Sequence, residues 1–147
     1  PMLSPSFCCS GSMASAWRFA RFAIFSCDTM DRPSCSFIFD ILNSYLIQNR
    51  SGVDNGRITP ITTNCWGGNP YAMTEVKGLA DSVGGGSVNS ISSVAVIYAT
   101  DGQTASVTFN TNRGEISISG SEFKQIFNLR SPGYISIKSP LYNIEKK

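Results

Sequence analysis

Residues 90–119 read SISSVAVIYATDGQTASVTFNTNRGEISIS, and the alternation within them decides the fold. Val94, Val96 and Tyr98 alternate with Ala95, Ile97 and Ala99, the pattern of a strand largely covered on both faces. Asp101-Gly102 then supplies a turn. Val107 and Phe109 alternate with Ser106, Thr108 and Asn110, so the next strand directs one face to a core. Asn112-Arg113-Gly114 turns the chain again, and Ile116 and Ile118 alternate with Ser117 and Ser119. Period-two segments joined by tight turns specify a three-stranded antiparallel meander.

Downstream, Ser121 is placed to cap a short helix, with Phe123, Ile126 and Phe127 at i, i+3 and i+4 as an apolar stripe for the sheet. Pro132-Gly133 forms a corner; Tyr134, Ile135 and Ile137 predict a fourth strand, and Leu141 and Ile144 a fifth. Upstream, the Ser82–Ser87 segment with Gly84-Gly85-Gly86 reads as a flexible connector. It lacks the Lys-Ser/Thr of a phosphate-binding loop. A modest helix is expected over Ala72–Leu79, preceded by a Gly-, Asn- and Pro-containing loop from Cys65 to Tyr71.

Residues 1–57 lack steady periodicity and are expected to be poorly ordered apart from Phe37–Ile47. That short apolar run fits a buried helix or a strand equally well. Asn55-Gly56 suits a tight turn. The fold class read from the chain is mainly β with a short helix (α+β), an antiparallel meander or small open barrel after an irregular N-terminal region. The division is 1–57, of uncertain provenance, and 58–147.

Composition narrows the chemistry. The 147 residues suffice for one domain. Net charge is +2 with 15% charged residues, which gives no sign of a nucleic-acid partner. No apolar run approaches the roughly 20 residues of a membrane span. The absence of histidine removes His-based triads and His metal ligands. Cys8, Cys9, Cys27, Cys35 and Cys65 contain no C-x-x-C pair, so buried or free thiols are expected, with no metal and no cofactor. The chain starts at Pro1, as a fragment or processed product would. Phe25 is bulky where a lipoprotein cleavage box before Cys27 would place a small residue, so no signal segment is assigned.

Val94–Ile144, best taken with the rest of residues 90–147, resembles the C-terminal part of the family of the stage II sporulation protein D (SpoIID) and the amidase enhancer LytB. The resemblance is carried in order by Ile118-Ser119-Gly120, Glu122-Phe123-Lys124, Leu129-Arg130-Ser131 and Tyr142-Asn143-Ile144. Trp66-Gly67-Gly68-Asn69-Pro70-Tyr71 is similar to that family's loop before a Pro-Tyr pair. The resemblance implies an extracytoplasmic bacterial cell-envelope protein whose partners are peptidoglycan and a cell-wall amidase. Members of the family act as peptidoglycan lytic transglycosylases or as amidase enhancers.

The family's catalytic acid is a glutamate within an N-terminal helix rich in Ala and Gln, whereas the first glutamate here is Glu75. Glycosidic cleavage needs a general acid at the leaving oxygen. The expectation is therefore a truncated, non-catalytic wall-engaging or amidase-positioning domain with no catalytic residue assigned. The alternative is part of a lytic transglycosylase whose glutamate lies outside this chain. A plain structural or adhesion-type β domain is the third reading.

Candidate binding residues are Trp66, Gly67, Gly68, Tyr71, Arg130 and Ser131. Trp66 and Tyr71 flank a glycine pair, either as a sugar platform or as anchors for the loop. Arg130 with Ser131 offers a planar donor fork to a glycan or peptide carboxylate, or else packs its stem and satisfies carbonyls at a helix end. Glu122 is read as a first-turn acid complementing the helix dipole, with Ser119 and Ser121 capping.

Overall fold

The computed structural model describes residues 33–59, 68–130 and 136–144. It is a small α+β fold. In chain order come α1 (Pro33–Ile47), a 3-10 turn (Asn55–Arg57), α2 (Met73–Ser82), β1 (Ile91–Tyr98), β2 (Thr104–Thr111), β3 (Gly114–Ser119) and α3 (Gly120–Arg130). The sheet is antiparallel in the order β1-β2-β3 and stays open, with no closure into a barrel among the described residues. The meander and the helix after it stand where the sequence periodicity places them.

Register explains the two faces. Val94 pairs with Phe109 and Val96 with Val107, while Ile118 and Ile116 lie opposite Val107 and Phe109 on the other side. These positions form one apolar face on which α3 lies, burying Phe123, Ile126 and Phe127. The Phe123 ring centroid is 5.6 Å from that of Phe109 and 6.2 Å from that of Tyr142. The opposite face carries Ser93, Asn110, Thr108 and Ser117, linked by Asn110–Ser93 and Thr108–Ser117 hydrogen bonds.

Four expectations need correction. β1 is an edge strand rather than one covered on both faces: Ile97 is 56% exposed and Tyr98 50%. The fourth and fifth strands are not formed in residues 136–144, which have no regular secondary structure; Tyr134 and Ile135 lie outside the described residues. This segment still closes the core, burying Ile137, Tyr142 and Ile144, but side chains satisfy its backbone in place of a ladder. Of the two serines read as capping α3, Ser119 is the cap and Ser121 is not. Ser119 Oγ accepts the Glu122 N–H at 3.2 Å and donates to Glu122 Oε2 at 2.9 Å, satisfying a helix-start donor beside a favourable charge.

The glycine-rich connector is also not loose. Residues 84–90 are pinned by side chains from three elements. Asp81 Oδ1 accepts the Ser87 N–H, and Asn112 accepts from Asn89 and Ser90 while donating to the Ser87 carbonyl. Arg113 Nη1 donates to the Gly84 and Gly86 carbonyls at 2.9 and 2.7 Å. Gly114, at φ 87°, takes the left-handed position of the β2–β3 turn, so Asn112 and Arg113 can serve as clamps.

The run whose type the sequence left open is α1. Ile38, Phe39, Ile41 and Leu42 enter the sheet core, while Ile47 joins a second cluster with Ile58, Tyr71, Val76 and Ala80. Residues 38–44 are all buried, so no amphipathic stripe exists for a period to reveal. The core therefore spans the division drawn at residue 57. The expectation for residues 1–32 lies outside the described residues. No helix among the described residues is long and apolar enough to cross a membrane.

Asn43 ties α1 to the connector. Its Oδ1 accepts the buried Val88 N–H at 2.7 Å, and its Nδ2 faces the Val88 carbonyl at 3.4 Å. Asn43→Ala strands that donor, and a loss of about 1–3 kcal/mol is expected. A urea titration checks it; an unchanged midpoint would mean that water replaces the amide.

Candidate functional site

The strand-to-helix step builds the site. β3 passes into α3 without a loop because Gly120 has no side chain: a Cβ there would lie 1.9 Å from the Thr104 carbonyl oxygen. Thr104, at the start of β2, holds the returning C-terminal segment. Its Oγ donates to the Tyr142 carbonyl at 2.6 Å and accepts the Tyr142 N–H at 2.9 Å, and its own N–H reaches the Pro140 carbonyl. Tyr142 Oη in turn donates to the Gly120 carbonyl. Burial pushes the Tyr142 phenol well above its ordinary range, so it remains a donor.

These contacts frame a cleft of about 500 Å3 between the β1–β2 turn, the outer face of α3 and Pro140. Its polar lining comprises Asp101, Gln103, Ser121, Lys124, Gln125 and Asn128. The α3 members fall at i, i+3, i+4 and i+7, so one helix face supplies the wall while Phe123, Ile126 and Phe127 occupy the core face. Asn128 pairs with the Ile137 backbone in both directions, at 2.7 and 3.0 Å, and fixes the far end. Lys124 Nζ donates to the Lys138 carbonyl at 3.4 Å, and Asp101 Oδ1 accepts the Gln103 N–H at 3.1 Å. Amides, a hydroxyl, one ammonium and one carboxylate make this a hydrogen-bonding cleft suited to a polar ligand.

The candidates from sequence occupy other places. Trp66, Gly67 and Ser131 lie outside the described residues, and Gly68 is exposed. Tyr71 is 7% exposed and belongs to the second cluster. The Arg57 guanidinium stacks over its ring at 4.1 Å, and its Oη accepts the Asp54 N–H. Tyr71 thus anchors its loop and presents no open platform.

Arg130 is fully buried. Its Nε and Nη2 grip Asp40 Oδ2 and Oδ1 at 2.8 and 3.0 Å, and Nη1 donates to the Thr59 carbonyl. Burial pushes the Asp40 carboxyl above its usual range against the opposing hydrogen bond and charge of Arg130. The fork that suggested a ligand carboxylate is occupied by an internal one. Glu122 fits its reading as a helix-start acid, held by Ser119.

Sequence reasoning passed over Asp101, Gln103, Lys124 and Gln125 as turn and helix-surface residues. The signal was the polar stripe at positions 121, 124, 125 and 128, the complement of the apolar stripe that was read. Among the described residues there is no group of three or more His, Cys, Asp and Glu placed to hold a metal. Compared with known proteins, the chain matches no family model, no curated protein and no solved structure.

Proposed function

We propose that the chain is a SpoIID/LytB-like module of the bacterial cell envelope that engages peptidoglycan, or positions a cell-wall amidase on it, and does not itself cleave the polymer. One observation carries the reading. The segments that resemble the family, Ile118-Ser119-Gly120 and Glu122-Phe123-Lys124, form the strand-to-helix step and the first turn of α3, and of them Gly120 and Lys124 line the cleft. Amide and hydroxyl groups there match the hydroxyls and acetamido groups of a wall polymer. The site of action in this reading is outside the cytoplasm.

The test is co-sedimentation of the 147-residue chain with purified sacculi, followed by analysis of the supernatant for muropeptides. Pelleting without release is expected. Replacing the surface pair by Lys124→Ala with Gln125→Ala should weaken binding by at least about 10-fold with an unchanged melting temperature, since hydrogen bonds to a charged group contribute about 1.5–3 kcal/mol. Release of anhydro-muropeptides would instead overturn the non-catalytic reading, because these 147 residues would then supply their own general acid. Failure of the chain to pellet would favour a structural or adhesion-type domain.

A further inference from the structure

We infer that β1 is an assembly edge: its free side pairs antiparallel with β1 of a second copy of this chain, joining the two sheets into one. Residues 93–97 lie outside the lining of the cleft, so this surface does not depend on wall binding.

The sheet runs β1-β2-β3, and β1 meets a strand on one side only. Among the described residues, no backbone group outside β2 bonds to residues 93–97. Natural monomers blunt such an edge with charges, proline or a bulge. Residues 90–100, SISSVAVIYAT, hold no charge and no proline. The two irregularities of register fall at the ends of β1, between Ile91 and Ser93 and between Ile97 and Tyr98. Residues 93–97 pair one to one with β2, so the middle of the edge is regular and open to a further strand.

Cover is missing on the same strand. α3 approaches β2 and β3 closely, and no helix among the described residues comes as close to β1. Val107, Phe109 and Ile118 are accordingly buried, whereas Val94 and Val96 on the same face stay half-buried. Ile97 and Tyr98 are two of the three large apolar side chains exposed among the described residues. The third, Leu141, lies two positions before Asn143, which accepts the Tyr98 hydroxyl.

A second copy fits because the edge is its own complement. With a two-fold axis at Ala95, Val94 of one copy lies opposite Val96 of the other, and Ser93 opposite Ile97. Directly opposed side chains share a face with Cβ atoms about 4.5–5.5 Å apart, so the valines of both copies meet on one face and Ile97 is covered on the other. A charged strand would repel itself in this arrangement; this one carries no charge. The far edge differs, since β3 carries Glu115 directly after Arg113 and Gly114. Pairing of β1 with β3 would repeat head to tail without closing, whereas β1 against β1 closes as a dimer.

Sedimentation velocity of the full chain over about 1–300 μM is the test; so short a junction belongs with the weak interfaces, and dimer should appear toward the upper end. Ala95 is exposed, and Ala95→Lys or Ala95→Glu sets like charges against each other at the axis. Each should weaken dimerisation about 5-fold or more, with the melting temperature of the dilute chain unchanged. An equimolar mixture of the two should dimerise at least as well as the parent, a rescue that requires β1 to face β1. Ser117→Lys puts the same charge on the same sheet face at the far edge and should leave dimerisation unchanged. A chain that stays monomeric throughout would overturn the inference and leave the edge to a different protein. Dimers indifferent to Ala95→Lys, or growth into open polymers, would overturn it as well.

Discussion

Arg130→Ala should cost about 3–5 kcal/mol of stability, because it leaves the Asp40 carboxylate buried without a counter-charge. Both side chains are at most 1% exposed, so water cannot take over the role of the guanidinium. Against a usual domain stability of about 5–15 kcal/mol, that is a large fraction. Arg130→Lys should recover only part of it, since an ammonium cannot make the bidentate pair and also reach the Thr59 carbonyl. Asp40→Ala should cost a comparable amount by orphaning the cation.

The double variant Asp40→Leu with Arg130→Met removes both charges together and should be far milder than the sum of the single losses. Urea titrations of the parent, Asp40→Leu, Arg130→Met and the double variant close the cycle. Additive losses would show that the two residues do not act as a pair. The result also governs how binding data are read. A wall-binding defect in an Arg130 variant would report lost fold, whereas a defect in a Lys124 variant with an unchanged melting temperature would report lost contact.

This pair marks the limit of what the sequence disclosed. Arg130 and Asp40 are 90 residues apart, and no local pattern links a charge in α1 to one at the end of α3. The meander was legible because alternation is a local consequence of the pleat, and α3 because its apolar positions repeat at helical spacing. α1 escaped assignment for the opposite reason: a helix buried on all sides has no polar face to set a period.

The supposed strands over residues 134–144 had suitable residues but no strand partner in the described segment. Thr104 and Asn128 satisfy the backbone of residues 137 and 142 instead, a tertiary solution that β-propensity cannot anticipate. The cleft was half legible. Its helical wall is a regular polar stripe, but Asp101 and Gln103 approach it only through the pairing of β1 with β2. Aromatic and guanidinium groups drew attention as ligand contacts, and the same properties suit them to burial: Tyr71 and Arg130 were spent on the core.

Gly120→Ala should be the most damaging single-methyl change among the described glycines. In an ordinary exposed helical position, alanine gains about 1 kcal/mol over glycine through helix propensity, so the default expectation is stabilisation. Here the added Cβ would sit 1.9 Å from the Thr104 carbonyl oxygen and 2.7 Å from its carbon. Those are backbone atoms. They have nowhere to retreat, because Thr104 is bonded to Tyr142 in both directions and to Pro140, and Tyr142 is bonded to Gly120 itself.

Relief requires α3 to move off β2, which opens the contact of Phe123 with Phe109 and Tyr142. A loss of at least about 4 kcal/mol follows, in the range reached only by overpacking and core disruption. Ser121→Ala, one residue on and exposed, should stay within about 0.5 kcal/mol and serves as the control. Thermal melts followed by circular dichroism separate the two. A Gly120→Ala chain as stable as its parent would remove the close approach of α3 to β2, and with it the wall that holds Lys124 and Gln125 over the cleft.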